Sequence, residues 1–371
     1  MRFKEIAAQV ANAFGRRHAV LTGRGAAAIA IALKAMLTPG DKVAVPSICC
    51  LSPVNVVSSV GMHPVICDCS PVDLNISPES VESALEAGCR AVIAVHIFGK
   101  PCRIVEIEAL CKKYDAFLLD DACQAAGSII DGKPVGSFGD AGIVSFGEGK
   151  IIPDVIGGGA VLVDDGDLHG ELQRLAASLP AKEPGIDHLA ELHRDIATAI
   201  QNASRLRPSL AASYECIRDR FLNIFEHKLS ADTVEKIERG VLSIPAETKA
   251  RRERSLKYRR ALGHPLITHI TDDEGSAVFR HTFTIGPDGD GGRNARRVVD
   301  KLRRHGIHAS QHYFPTHLLM PSYCLHDEYH CTEPAIRAVN LWVDGCADDD
   351  YIERSVRIVN DVLSEVMGEV E

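Results

Sequence analysis

Two ionisable residues stand at the ends of two short apolar segments in the first half of the 371-residue chain. Asp121 follows the segment 116–120, and Lys150 follows the segment 143–146 after a polar, glycine-containing turn. Both segments are typical of buried parallel strands. Ligands of open α/β sheets bind in the crevice outside the carboxyl ends of such strands, so this acid and this amine could meet across one crevice. Taken singly, Asp121 could instead cap a helix and Lys150 could be a solvated loop cation.

Polar residues at set offsets accompany the pair. Gln124 stands three residues after Asp121, and Ser145 stands five residues before Lys150. The Asp-Ala-Cys-Gln run at 121–124, the Ser-Phe-x-x-x-Lys pattern at 145–150 and the Gly-x-Phe-Gly-Asp run at 136–140 resemble the DegT/StrS-type sugar aminotransferases. These are fold-type-I enzymes that use pyridoxal 5'-phosphate (PLP). The resemblance extends in register over most of the chain.

The resemblance implies a role for each of these side chains. Lys150 is expected to carry PLP as a Schiff base and to move the proton during catalysis. Asp121 is expected to face the pyridine nitrogen and to keep it protonated. Gln124 is expected to hydrogen-bond the phenolic oxygen of the ring. PLP itself would supply the electron sink, and the protein would supply binding and orientation.

A glycine-rich turn near the N-terminus is a candidate anion site. Residues 18–22 read as a strand, and Thr-Gly-Arg-Gly at 22–25 then opens an alanine-rich helix. Backbone N–H groups and the helix dipole favour an anion at such a turn, although a plain strand-to-helix turn looks the same. The resemblance implies that the backbone of Gly23 and Arg24, together with Ser145, holds the PLP phosphate. The Arg24 guanidinium could contribute or could point to solvent.

The elements that must position these residues alternate between strand and helix up to residue 163. This predicts an α/β, fold-type-I architecture with a large, mostly parallel sheet over residues 1–165. Residues 166–259 are helix-rich and charged, and residues 260–371 predict a smaller α+β domain. In that last part we predict strands over 277–285 and 307–314.

Substrate recognition is expected to involve the C-terminal part. The run at 312–315 with His317 resembles the family's Tyr-Pro-x-x-His element, which implies that Tyr313 and His317 border the substrate. An edge strand with exposed rings explains each residue singly about as well. The family's Gly-Tyr-Asn-x-Arg segment is not found, and residues 229–232 correspond to the positions just after it. Cys50 stands where the family usually has an aromatic ring over the pyridine.

Three functional interpretations are consistent with these residues. The first is transfer of an amino group, from glutamate or glutamine, to a keto sugar that can be nucleotide-linked, or to a keto-cyclitol. The second is another PLP reaction, such as a lyase, dehydratase or condensing enzyme on a small amino-acid-like substrate; Lys150 disfavours the dehydratase branch, where histidine replaces it. The third is a non-catalytic PLP-binding regulator. A nucleotide diphosphate would need cations, and the candidates, which could equally form a solvated face, are Arg280, Arg293, Arg296 and Arg297.

The composition argues against several classes of binding partner. The net charge of -9 and the pI near 6.0 give no electrostatic case for nucleic acid or an anionic membrane. No apolar run reaches membrane-spanning length, and the N-terminus reads as an amphipathic segment rather than a signal peptide. The twelve cysteines lack paired zinc-type motifs, so we expect no metal and free thiols in the cytoplasm. We expect a homodimer, partly through residues 167–259, and a core role for His96.

Overall fold

The computed structural model describes residues 2–147, 149–152, 157–211, 213–218, 226–270, 275–286 and 289–368. Strands alternate with helices up to Val163, as predicted, and four further α-helices follow in the described ranges up to Ala261. The strands are β1 (His18–Thr22), β2 (Lys42–Pro46), β3 (His63–Cys67), β4 (Cys89–Val95), β5 (Phe117–Asp121), β6 (Ile129–Ile130), β7 (Lys133–Pro134), β8 (Ala141–Ser145) and β9 (Gly159–Val163). The helices are α1 (Arg2–Ala13), α2 (Gly25–Met36), α3 (Ser52–Ser59), α4 (Pro78–Glu86), α5 (Ile104–Lys113), α6 (Gly166–Ser178), α7 (Ile186–Leu206), α8 (Ser213–Arg218) and α9 (Ala231–Ala261).

Seven of these strands form one sheet in the order β1-β9-β8-β5-β4-β2-β3. Strands β2, β3, β4, β5 and β8 run parallel to one another, while β9 is antiparallel to both of its neighbours, β1 and β8. The strands are apolar and almost entirely buried, as expected for a sheet that is covered on both faces. Because β1 and β8 both oppose β9, the carboxyl ends of β1, β5 and β8 lie at the same edge.

The alanine-rich helix α2 is buried along most of its length, from Gly25 to Leu33. It packs against β8 and β9, and its small side chains allow the helix to lie close to the sheet. The N-terminus of this helix is therefore held at the edge of the sheet where β1 and β8 end.

Helix α9 contributes side chains to two apolar clusters, one in each half of the molecule. Val234 and Ile244 belong to an apolar cluster with α1, β8 and β9, whereas Tyr258 packs in the core of the C-terminal region. The division into 1–165, 166–259 and 260–371 remains our prediction for the domain boundaries.

The C-terminal region contains a smaller antiparallel sheet covered by helices. Its strands are β10 (Ile267–His269), β11 (His281–Ile285), β12 (Ala309–Ser310) and β13 (Ala338–Leu341), in the order β10-β11-β13-β12. Its helices are α10 (Arg293–Arg304), α11 (Thr316–Leu319), α12 (Thr332–Ile336) and α13 (Asp349–Gly368).

Both strands predicted for this region are shorter than expected. Strand β11 begins only at His281, because the backbone N–H groups of Ala277 and Phe279 bind the carbonyls of Gly99 and Phe98 instead of a strand. Strand β12 contains two residues only, and the N–H of His312 binds the side chain of Asn340. The Tyr313 segment is thus a loop and not part of a long strand.

None of the helices in the described ranges is long and apolar enough to cross a membrane. Apart from Cys216, the cysteines of these ranges are free thiols, and most of them are buried.

Candidate active site

Three loops meet at one edge of the large sheet. Thr22 at the end of β1 and Ser145 at the end of β8 both pair with Gly159 of β9. Strand β5 adjoins β8 on the other side, with Asp121 opposite Ile143. The register of the sheet therefore gathers the turn after β1, the Asp121 loop and the Lys150 loop at one crevice, as the sequence predicted.

Asp121 is buried with part of its hydrogen-bonding capacity unused. Its Oδ1 accepts a hydrogen bond of 2.9 Å from the N–H of Cys123, and no described residue donates a hydrogen bond to Oδ2. Burial raises the pKa of this carboxyl, while the hydrogen bonding from Cys123 and the positive charge of Lys150 oppose that shift. A donor with a positive charge would fit the remaining oxygen.

The neighbouring Asp120 has a different environment. Its Oδ1 lies 2.7 Å from Nε2 of His96, and its Oδ2 accepts hydrogen bonds from the N–H groups of Gly136 and Phe138 at 2.6 and 3.0 Å. Successive side chains of a strand point to opposite faces, which explains why two adjacent aspartates differ so much. Asp120 is fully engaged in the core, and His96 lies there too, as predicted.

Lys150 lies beside an aromatic ring supplied by the C-terminal half of the chain. Its Nζ is 5.4 Å from the centroid of the Phe279 ring, and it forms no hydrogen bond or ion pair within the described residues. The Arg280 guanidinium lies 4.1 Å from the same ring and 4.2 Å from the ring of Trp342. The N–H of Phe279 binds the carbonyl of Phe98, which holds the ring at the crevice.

Gln124 connects the Asp121 loop to the predicted substrate segment. Its Oε1 accepts a hydrogen bond of 3.1 Å from the N–H of Phe98, and its Nε2 donates one of 3.2 Å to the Tyr313 hydroxyl. The Tyr313 ring stacks on Phe98 with centroids 5.9 Å apart. Burial, followed by the proximity of Cys50, raises the pKa of the Tyr313 hydroxyl. The structure therefore brings Tyr313 to the crevice, with half-buried Cys50 nearby.

His317 is held in a network of its own. Its Nδ1 lies 2.6 Å from the Ser47 hydroxyl, its Nε2 lies 3.0 Å from the Thr332 hydroxyl, and its ring stacks on Tyr329 at 3.9 Å. Burial lowers the pKa of this imidazole to about 4. Both ring nitrogens are thus engaged within the protein, which leaves the predicted contact with substrate without support from this geometry.

Of the groups predicted to hold the phosphate, Ser145 lies at the N-terminus of α2, whereas the N–H of Gly23 and the Arg24 guanidinium are engaged within the protein. A Cβ on Gly25 would lie 2.9 Å from Cβ of Ser145, so Ser145 sits against the first turn of α2. The N–H of Gly23, however, donates to the carbonyl of His227 at 2.9 Å. The Arg24 guanidinium pairs with Asp187 of α7 at 2.8 Å.

The arginines considered for a diphosphate are divided between two places. Arg280 is buried beside the Lys150 loop, with its Nη2 3.5 Å from the carbonyl of Gly149. Arg293, Arg296 and Arg297 lie on α10, where Arg297 is 3.7 Å from Glu365 of α13. Of the four, Arg280 is the one that the structure places against the Lys150 loop.

Two residues at this site were not identified from the sequence. Phe279 and His227 belong to no motif, and each reaches the crevice from a distant part of the chain. His227 stands in the region where the expected Gly-Tyr-Asn-x-Arg segment was not found, and that gap was the only sequence signal nearby.

Comparison with known proteins agrees with this arrangement. Residues 2–183 match the DegT/DnrJ/EryC1/StrS aminotransferase family. The chain is 33% identical over 153 residues to GDP-perosamine synthase of Vibrio cholerae, covering 41% of each protein. It is 29% identical over 319 residues to the putative pyridoxal phosphate-dependent aminotransferase EpsN of Bacillus subtilis (strain 168), covering 83% of this chain and 73% of EpsN. The alignment thus spans only about two fifths of the first relative's length.

Solved structures extend the likeness to the whole chain. The aminotransferase TlmJ from Streptoalloteichus hindustanus superposes with a TM-score of 0.78 at 20% identity, over 99% of this chain and 92% of TlmJ. Identity at this level shows the fold alone. The fold class and the family predicted from the sequence are both confirmed. The motifs of the first half, the sheet that gathers them at one edge and the full-length fold all agree with the match of residues 2–183 to the DegT/DnrJ/EryC1/StrS aminotransferase family.

Proposed function

We propose that the chain is a PLP-dependent aminotransferase whose acceptor is a keto sugar or a related polyhydroxy ketone. Relatives of the chain carry aminotransferase names, and one of them is a putative pyridoxal phosphate-dependent aminotransferase, in agreement with the prediction from the sequence. The observation that carries the proposal is the meeting of Asp121, Lys150 and Ser145 at one sheet edge. All three residues that the family motif requires are present there.

The residues at this edge fit the cofactor. Asp121 is a buried residue whose hydrogen bond from Cys123 engages Oδ1, so that Oδ2 is available to the protonated pyridine nitrogen. Ser145 and the first turn of α2 suit the phosphate, because the N-terminus of a helix attracts anions. Gln124 donates only one hydrogen bond from its amide in the described structure, and the amide has a second N–H for the phenolic oxygen. When bound, PLP would supply the electron sink.

The side chains of the protein would divide the remaining work. Lys150 would hold the cofactor and carry a proton to and from the substrate carbon, because its amine is not engaged by any described acidic group. Asp121 would keep a positive charge on the pyridine nitrogen. Phe279 and Tyr313, which border the crevice, would limit the access of water to the reacting atoms.

Two observations support the proposed class of acceptor: the name of a related protein and the position of Arg280. The name of GDP-perosamine synthase refers to a nucleotide-linked sugar, which supports a keto-sugar acceptor for this chain. Arg280 is the candidate cation nearest to Lys150, through the Phe279 ring that both contact. A nucleotide-linked keto sugar and a free keto-cyclitol both remain within the proposal. A panel of nucleotide sugars assayed beside free ketones would separate them.

A half-reaction tests the reaction class. The holoprotein is mixed with an amino acid alone, and its absorption spectrum and the released keto acid are followed. A transaminase should convert its cofactor to pyridoxamine phosphate and release one equivalent of keto acid. A lyase, dehydratase or condensing enzyme should leave the cofactor in its starting form, and a non-catalytic binder should release no keto acid. Either of these results would refute the aminotransferase proposal.

We also propose that the active form is a homodimer in the cytoplasm. Twofold pairing is the commonest oligomeric arrangement, and the segment 167–259 is our candidate for part of the interface. The free and mostly buried thiols suit a reducing compartment. Sedimentation of the active protein at assay concentration should give twice the 40.1 kDa chain mass. An active monomer would contradict the proposal.

A further inference from the structure

His227 is a buried histidine with one ring nitrogen unused. Its exposed fraction is 5%, and its Nε2 has no hydrogen-bond partner within the described residues. Its Nδ1 lies 3.0 Å from the carbonyl oxygen of Lys228. Because a carbonyl can only accept, the ring proton resides on Nδ1, and the neutral ring presents a lone pair at Nε2. Buried polar atoms are normally paired, so this nitrogen calls for an explanation.

The ring lies against the turn that opens α2. A Cβ on Gly23 would be 2.1 Å from Nδ1 and 2.5 Å from Cε1 of His227, so only glycine fits beneath the imidazole. The unpaired Nε2 is one bond away from this Cε1. The carbonyl of His227 also accepts the N–H of Gly23. His227 therefore takes one backbone donor out of the anion site and places an imidazole beside it.

The charged groups that face this imidazole are Arg24, Lys182 and Asp187. Burial is the main cause that lowers the pKa of His227, Arg24 and Lys182 lower it further, and Asp187 opposes them. Asp187 bridges the two cations, at 2.8 Å from Arg24 and 2.5 Å from Lys182. With two cations, one aspartate and a helix N-terminus nearby, this corner has positive charge in excess.

We propose that His227 is a ligand of the anionic group bound at the N-terminus of α2, and that Nε2 holds one proton in the complex. For the cofactor this group is the phosphate, so the identity of the ligand rests on the proposed function. When the phosphate dianion binds beside the neutral ring, one proton is taken up from solvent. This proton then lies between Nε2 and a phosphate oxygen. No other bond forms or breaks.

Because His227 takes up a proton when the phosphate group binds, the affinity for that group should depend on pH. Without the anion, burial and the two cations lower the pKa of the ring and keep it neutral at pH 7 and above. The bound dianion stabilises the protonated ring, so binding consumes a proton. Phosphate affinity should therefore fall as pH rises, by up to about tenfold per pH unit, at pH values where the free phosphate is already dianionic.

The experiment compares PLP with pyridoxal, which has the same ring and aldehyde but no phosphate. Dissociation constants of both are measured from the absorption change between pH 7 and pH 9, for the wild type and for His227→Gln. The ratio of the two constants isolates the phosphate contribution. In the wild type the advantage of PLP should shrink as pH rises. In His227→Gln it should be about 10- to 100-fold smaller at pH 7, the loss expected for one charged hydrogen bond, and independent of pH.

His281→Gln is the matched control. His281 is also a buried histidine with an unpartnered Nε2 among the described residues, but it lies in β11 of the smaller sheet. This variant should keep both the ratio and its pH slope. A wild-type ratio that does not change with pH, or a slope that persists in His227→Gln, would overturn the proposal.

A second titration separates this proposal from the proposed function. Inorganic phosphate is titrated into the protein by calorimetry in two buffers of different ionisation enthalpy. Uptake of a proton by the wild type, lost in His227→Gln, supports the role of His227 even if PLP does not bind. Binding of PLP without proton uptake would leave the enzyme class standing and refute the role of His227.

Discussion

The two sides of the crevice differ in how completely their polar side chains are engaged. On the side of the large sheet, no described residue donates a hydrogen bond to Oδ2 of Asp121, and the amine of Lys150 forms no hydrogen bond or ion pair with a described residue. On the side of the C-terminal region, His317 uses both ring nitrogens within the protein. Unused capacity at a buried position is costly unless a ligand supplies the partner, whereas a satisfied group stabilises the fold without one. We propose on this basis that Asp121 and Lys150 act in the chemistry and that His317 stabilises the fold.

The same contrast appears within the C-terminal segment itself. Tyr313 and His317 are four residues apart in the chain. The Tyr313 hydroxyl accepts a hydrogen bond from Gln124, whereas the ring nitrogens of His317 contact the hydroxyls of Ser47 and Thr332. Substitutions on both sides of the crevice test this division, beginning with the largest expected effect.

Lys150→Ala should abolish transamination. Because Lys150 is expected to act both as the cofactor's attachment point and as the proton carrier, turnover should fall by at least about 10⁴-fold, the upper range for one proton-transfer group. PLP should still bind through its phosphate and Asp121. In the wild type, borohydride should fix the cofactor to the peptide that carries Lys150. Attachment to another lysine would refute the assignment, and exposed Lys133→Ala is the control.

Asp121→Asn should mainly lower activity, whereas Asp120→Asn should mainly lower stability. Asp121→Asn removes the charge that faces the pyridine nitrogen, so turnover should fall by about 10²- to 10³-fold with little change in stability. Asp120→Asn weakens the buried contacts to His96 and two N–H groups, and should lower the free energy of unfolding by about 1–3 kcal/mol. Steady-state kinetics and urea unfolding measure the two effects. Loss of activity in Asp120→Asn alone, in folded protein, would reverse our assignment.

His317 should make stability depend on pH. Its pKa is about 4 in the folded protein and about 6.5 when unfolded. The unfolded state therefore binds the proton more tightly, so the contribution is fully present above pH 6.5 and is lost as pH falls toward 4. As the pH falls from 6.5 to 4, the preference of the proton for the unfolded state should lower the free energy of unfolding by about 3 kcal/mol. His317→Gln should flatten this part of the profile of unfolding free energy against pH, and an unchanged profile would contradict the buried, neutral assignment.

Tyr313→Phe should have the smallest effect and should affect one half-reaction. Loss of the hydroxyl that contacts Gln124 should raise KM or lower kcat for the acceptor by about tenfold, the value of one hydrogen bond. The half-reaction with the amino donor should change less. His317→Gln is the comparison, because in folded protein it should alter neither half-reaction strongly. Equal losses in both half-reactions for Tyr313→Phe would indicate a structural role.

The residues of the candidate catalytic motif were evident from the sequence because they are local in the chain. Asp121 and Gln124 share one loop, Ser145 and Lys150 share another, and each loop follows an apolar strand whose pattern predicts a parallel sheet. The sheet edge that unites them follows from the parallel arrangement. Family, fold class and the placement of this loop pair were therefore determined by short-range patterns.

Tertiary packing alone decided the rest. Adjacent Asp120 and Asp121 look alike in the sequence, and only the alternation of side chains in β5 places one in the core and one in the crevice. Both ring nitrogens of His317 are engaged by partners 270 and 15 residues away in the chain. Phe279 and His227 reach the crevice through long-range contacts that no local spacing records. Contacts of this kind depend on how the finished elements pack, and the chain acquires them only when it folds.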